Sequence, residues 1–81
     1  MQQLALPFDR PPYRNAAWTR QIFDTRAAQT GGIVRRSVRS VEQEIGRDRL
    51  IAECRGRGFH LVECGGQFVI ICNPGQVSVI C

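Results

Sequence analysis

Phe59-His60-Leu61-Val62-Glu63-Cys64-Gly65-Gly66-Gln67-Phe68-Val69-Ile70-Ile71-Cys72 is the stretch on which the fold turns. Two runs rich in apolar and β-branched residues flank a Gly-Gly pair, the pattern of a β-hairpin closed by a two-residue turn. Strand side chains alternate between faces. Counting across the turn puts Phe59, Leu61, Phe68, Ile70 and Cys72 on one face. His60, Val62, Cys64, Gln67, Val69 and Ile71 fall on the other. Asn73-Pro74-Gly75-Gln76 reads as a type I or II turn, and residues 77–81 as a third strand. Val77, Val79 and Cys81 then extend the first face, which is the expected core face; Ser78 and Ile80 join the second. The second face is too apolar to be left in water. Its expected cover is the 15–30 segment, with a second copy of the chain or a partner as alternatives.

Upstream of the hairpin the period changes from strand to helix. Ser40 followed by Gln43 fits a capping box, and Val38, Val41 and Ile45 share one helical face. Gly46 suits a helix C-terminus. A single helix through residue 56 would put Leu50 nearly opposite Val41. The reading is therefore two helices, about 39–46 and 48–56, with Asp48 capping the second and Leu50, Ile51 and Cys54 pointing inward. Gly56 and Gly58 close it. Ile33, Val34 and Val38 around Arg35-Arg36 read as a short strand. Residues 15–30 fit a helix capped by Asn15, with Trp18 and Ile22 one turn apart. Phe23 and Thr25 fit a strand as well. Pro7, Pro11 and Pro12 make residues 1–14 an extended tail. The expectation is an α+β fold: two short helices packed on a three-stranded antiparallel β-meander, preceded by a flexible N-terminal tail (1–14) and a partly ordered connector (15–32), with residues 33–81 as the small domain.

Eighty-one residues, 43% of them hydrophobic and 22% charged, describe one small folded unit, too short for a barrel or a dinucleotide-binding fold. No apolar run reaches membrane-spanning length, and no secretion signal is visible, so a cytoplasmic chain is expected. The net charge is +4, and all eleven cations are Arg. Seven of them, from Arg35 to Arg57, share their segment with Glu42, Glu44, Asp48 and Glu53. Cys54, Cys64, Cys72 and Cys81 lack the close pairing of zinc ligands, and most of them read as small buried hydrophobes; no metal or cofactor is expected. His60 and Cys64 share a face but stand some 13 Å apart along a strand. Glu42 and Glu44 diverge on their helix. No Walker loop or G-x-G-x-x-G occurs. Enzymatic activity is not expected.

Two features point to binding. Two short helices with a glycine turn followed by a hairpin resemble the back half of a winged helix. That resemblance implies a basic DNA-binding regulator, with Arg47, Arg49, Arg55 and Arg57, and beside them Arg35 and Arg36, meeting phosphates and Gly65-Gly66 at the wing tip. The other feature is Gln3-Leu4-Ala5-Leu6-Pro7-Phe8. Its large apolar side chains have nowhere to bury in a proline-rich tail, which gives it the physics of a docking motif. Three such groups entering a partner's groove gain roughly 5–8 kcal/mol before ordering costs.

This hexapeptide resembles the bacterial sliding-clamp-binding motif, most of all the tails of Hda-type inactivators of the replication initiator. The resemblance implies that Gln3 hydrogen-bonds in the clamp's small subsite, that Leu4 and Leu6 enter its apolar cleft, and that Phe8 closes it. It covers six residues, and the chain is too short for the ATPase domain of those inactivators. Gly31-Gly32-Ile33-Val34-Arg35-Arg36, Gly58-Phe59-His60 and Gly65-Gly66-Gln67-Phe68 resemble a group of small proteobacterial proteins of unknown function. Some of these carry a phosphoribosylanthranilate isomerase label, which a chain of this length cannot fulfil. The leading expectation is a non-enzymatic protein docking on the replication clamp. A DNA-binding regulator is the alternative, and a phage or mobile-element inhibitor of a host complex, of the anti-CRISPR kind, is a third class.

Overall fold

The computed structural model describes residues 15–81. Its elements are α1 (Ala16–Phe23), α2 (Arg26–Gln29), β1 (Ile33–Ser37), α3 (Val38–Glu44), α4 (Arg47–Arg57), β2 (His60–Cys64) and β3 (Gln67–Ile71). The fold is α+β, with one three-stranded antiparallel sheet in the order β1-β3-β2. None of its helices is long and apolar enough to cross a membrane.

The hairpin forms as read. Leu61 faces Ile70 and Cys64 faces Gln67 across it, and Gly65 and Gly66 both take positive φ, 57° and 77°. The third strand is a different one from that expected. Residues 77–81 form no ladder, and Val79 and Ile80 are 86% and 90% exposed. Ile33–Ser37 occupies the remaining edge of β3 instead, with Val34 opposite Ile70 and Arg36 opposite Phe68. The arrangement is therefore not a meander. A strand has only two hydrogen-bonding edges, and β3 has both filled.

Segment 15–30 resolves as helix, but not capped as expected. Asn15 sits in the left-handed region (φ 62°) and makes no side-chain cap. Its amide donates instead to the Glu44 backbone carbonyl (3.2 Å) and to Glu44 Oε1 (2.6 Å), tying the start of α1 to the end of α3. Thr25 caps α2 through the Ala28 N–H. The two later helices are capped three and two residues before the positions read. Ser37, not Ser40, caps α3, accepting from the Ser40 N–H at 3.0 Å. Gly46, not Asp48, precedes α4, and Asp48 lies in its first turn, where a carboxylate suits the positive end of the helix dipole. Gly46 has φ 86°, so it turns the chain from α3 into α4 in a conformation that would strain any residue with a Cβ.

All four helices pack on one face of the sheet. Ile22 and Phe23 from α1, Ala28 from α2, Val41 from α3, and Leu50 and Cys54 from α4 form one core with Val34, Phe68, Ile70 and Cys72. The 15–30 segment is thus part of this core and not a cover for the opposite face. Phe59 and Leu61 border the core, whereas Val77, Val79 and Cys81 do not join it. Cys54 and Cys72 are buried as read, but Cys64 and Cys81 are exposed. Burial, and then the neighbouring Cys72, push the Cys54 thiol up to about 11. Leu50 is fully buried among side chains from every layer. Leu50→Ala is expected to lower unfolding stability by about 2–5 kcal/mol through lost burial and an unfilled cavity, measured by urea denaturation; a loss under about 1 kcal/mol would mean that α4 is not clamped into the core.

Candidate nucleic-acid interface

The turn between α3 and α4 is short because its two ends are bonded to the same carbonyl. Ile45 N–H and Gly46 N–H both donate to Val41 O, at 2.9 and 2.7 Å. The hairpin tip lies at the same end of the molecule as the start of both helices. Val38 N–H, at the head of α3, donates to Gly66 O at 2.9 Å. Arg47, at the head of α4, donates from Nη1 to Glu63 Oε1 at 2.8 Å. A two-helix unit and a glycine-tipped hairpin are thereby fixed side by side.

The six arginines singled out from sequence fall into different environments. Arg47 is a clip. Besides its bond to Glu63 it reaches Glu42 at 3.8 Å, and its guanidinium lies 5.0 Å from the Phe68 ring centre. Its hydrogen bond holds Glu63 below the usual carboxylate range, and Glu63, followed by Glu42 and Asp48, in turn raises the Arg47 value. Arg57 is a second clip: it pairs with Glu53 and stacks over Phe23, 3.9 Å from the ring centre, a cation–π contact on the core's edge. Arg36 donates to the Arg35 carbonyl at 2.7 Å, on β1 and away from α4. Arg35 points from the opposite sheet face, in the row of Val69 and Val62.

Arg49 and Arg55 remain as the α4 arginines that face away from the core. With Leu50 and Cys54 inward, the helical period turns Ala52, Gly56, Arg49 and Arg55 outward; Arg55, Ala52 and Gly56 are exposed. Arg49 also lies 3.8 Å from Glu53. The outward surface of α4 thus carries the small Ala52 and Gly56 with Arg49 and Arg55, and the exposed Asp48 of the first turn lies on the same side. Arg39, exposed on α3, adds charge to the same two-helix unit. It was not among the residues singled out above, although its place in the helix before the glycine turn was the available signal. No group of His, Cys, Asp and Glu among the described residues could hold a metal ion. The His60 ring donates from Nε2 to Gly75 O at 2.7 Å. The docking residues Gln3, Leu4, Leu6 and Phe8 lie outside the described residues. A scan of protein-family models finds no match, and searches of curated proteins and of solved structures find none either.

The Arg47–Glu63 pair gives the molecule an acid-sensitive joint. Because the folded carboxyl titrates below its unfolded value, its contribution is complete above the unfolded carboxylate pKa of about 4.3 and is lost as pH falls through the lower folded value. Thermal melts from about pH 5 down to pH 3 should therefore show a shallower acid decline in Glu63→Gln than in the wild-type chain. Superimposable declines would mean that this pair does not join α4 to the hairpin in solution.

Proposed function

We infer that this chain is a small duplex-DNA-binding module in which α4 enters the major groove and the β2–β3 tip reaches the neighbouring backbone. The reading is supported above all by the element order, with two helices across a glycine turn followed by a hairpin, and by the sheet order β1-β3-β2. These correspond to a helix-turn-helix with a wing. Only two clear helices were readable from sequence; α1 supplies a third, and β1 the strand that completes the sheet.

In such a module the first helix of the pair crosses the backbone and the second inserts, its outward side chains meeting base edges and phosphates. Arg49 and Arg55 are the residues to which this role is assigned, with Ala52 and Gly56 permitting close approach. Arg47 and Arg57 are given a structural role instead, each combining a carboxylate with an aromatic ring, Glu63 with Phe68 and Glu53 with Phe23; Arg49 also pairs with Glu53, at 3.8 Å. B-form DNA is favoured over duplex RNA because the deep, narrow major groove of an A-form helix excludes a helix and its side chains. The role is binding, with no catalytic step.

Fluorescence anisotropy with a labelled duplex tests this. Binding should weaken steeply with salt, and Arg49→Ala with Arg55→Ala should reduce the slope of log affinity against log salt by about 2, roughly one per phosphate contact. An unchanged slope in a variant that still folds, or no duplex binding at low salt, would refute the assignment.

A second reading rests on Gln3-Leu4-Ala5-Leu6-Pro7-Phe8, which resembles the clamp-binding motif. Here the chain docks on the replication clamp through that hexapeptide, and the two roles are compatible because they use different parts of the chain. Titration of purified clamp should give a micromolar-range signal with the full chain and none with Leu6→Ala, Phe8→Ala. Equal signals would remove this reading.

A further inference from the structure

The large apolar side chains most exposed among the described residues lie near the end of the chain. Val79 and Ile80 are almost bare, and Val77 is 40% exposed. The segment is not loosely attached. Cys72 N–H donates to Gly32 O at 2.9 Å, Gly75 N–H to Asn73 Oδ1 at 2.7 Å, and the His60 ring to Gly75 O at 2.7 Å. Residues 72–76 are thereby pinned beside the start of β2, and residues 77–81 project from a fixed point. Their sequence, Val-Ser-Val-Ile-Cys, alternates as a half-buried strand does.

The sheet has two free outer edges, and they differ. On β1, Arg35 and Arg36 are adjacent, and Arg36 already donates to the Arg35 carbonyl. Charged residues of this kind guard an edge against pairing. Among the described residues, nothing pairs with the outer edge of β2. Beside it a cleft of about 390 Å³ opens between β2 and α4, with an apolar floor of Ile51, Phe59, Leu61 and Phe68 and with Arg47, Arg55, His60 and Glu63 also in its lining. A strand laid along β2 would send alternate side chains into this cleft and the others over Val62.

We propose that residues 77–81 of one copy of this chain add as a fourth strand to the outer edge of β2 in a second copy, reciprocally, to form a dimer. Val77, Val79 and Cys81 enter the α4–β2 cleft, and Ile80 lies beside Val62. Pairing within one copy is disfavoured by topology. The segment would have to run parallel to β2 after crossing its start in the few residues 72–76, whereas parallel neighbours ordinarily need a long crossover. The tail of a second copy can run antiparallel, which is the stronger ladder. Edge addition with alternate side chains in pockets is an established recognition mode, and the reciprocal exchange closes on itself and does not propagate.

Sedimentation velocity of the full chain across a dilution series tests this. The wild type should be a dissociating dimer. Val79→Asp with Ile80→Asp should be monomeric throughout, with an unchanged circular-dichroism spectrum. Ile33→Asp, on β1 away from the receiving strand, should remain dimeric. A wild type that stays monomeric at the highest concentration would overturn the proposal. So would a tail variant that still dimerises, or dissociation by Ile33→Asp, which would move the interface to the open sheet face. A monomeric wild type in which the tail substitutions lower the melting temperature would show pairing within one copy and would likewise overturn it.

Discussion

A β-strand can satisfy its backbone on two sides and no more, and the central position of β3 organises this small molecule. Its inward residues Phe68 and Ile70 are almost fully buried, so β3 cannot lie at an edge without opening the core. Its ladder partners are β2, delivered by the Gly65-Gly66 turn, and β1, delivered from far upstream in the sequence. Once β1 is seated, the chain after Cys72 has no place beside β3. The same pairing brings Val38 to the hairpin tip through the Gly66 carbonyl. Closing the sheet and placing α3 are therefore one event.

The charges are divided between holding the fold and facing outward. Arg47 and Arg57 sit at opposite ends of α4, and each combines a carboxylate with an aromatic ring. Arginine suits such sites because its planar guanidinium stacks and donates together. Half-exposed ion pairs alone contribute little, so the value of these clips lies in fixing the orientation of α4. With its ends held, α4 presents Arg49, Ala52, Arg55 and Gly56 on its outward side, the row to which the proposed groove contact is assigned. The cleft under the β2 side of α4 shares Arg55 with this outward row, so a strand added there would lie against one end of it.

Much of this was legible one residue at a time. The hairpin and its register followed from alternation about the two glycines. Leu50 and Cys54 as inward residues followed from the helical period, although Ile51, read with them, is only half-buried outside the core, and the break near Gly46 followed from the mismatch between Val41 and Leu50. Cap positions were off by two or three residues because Ser37, Ser40, Gly46 and Asp48 are all acceptable at a helix start; only the end of β1 selects Ser37. The sorting of the arginines was not legible. Arg47 and Arg49 look alike in sequence, and what separates them is whether Glu63 and Phe68 lie opposite.

By itself, then, the chain's amino-acid order determined the local elements and the mixed α+β class, because turn glycines, strand alternation and helical spacing act between residues close in sequence. Tertiary structure decided which of two β-prone segments joined β3. Residues 33–37 and 77–81 are comparable as strands by composition. Ile33–Ser37 wins because Val34 drops into the helix-covered core opposite Ile70, whereas the later segment leaves the sheet pinned at Gly75 beside β2. Burial against distant side chains settles that competition, and it is a property of the assembled core that no short window of sequence contains.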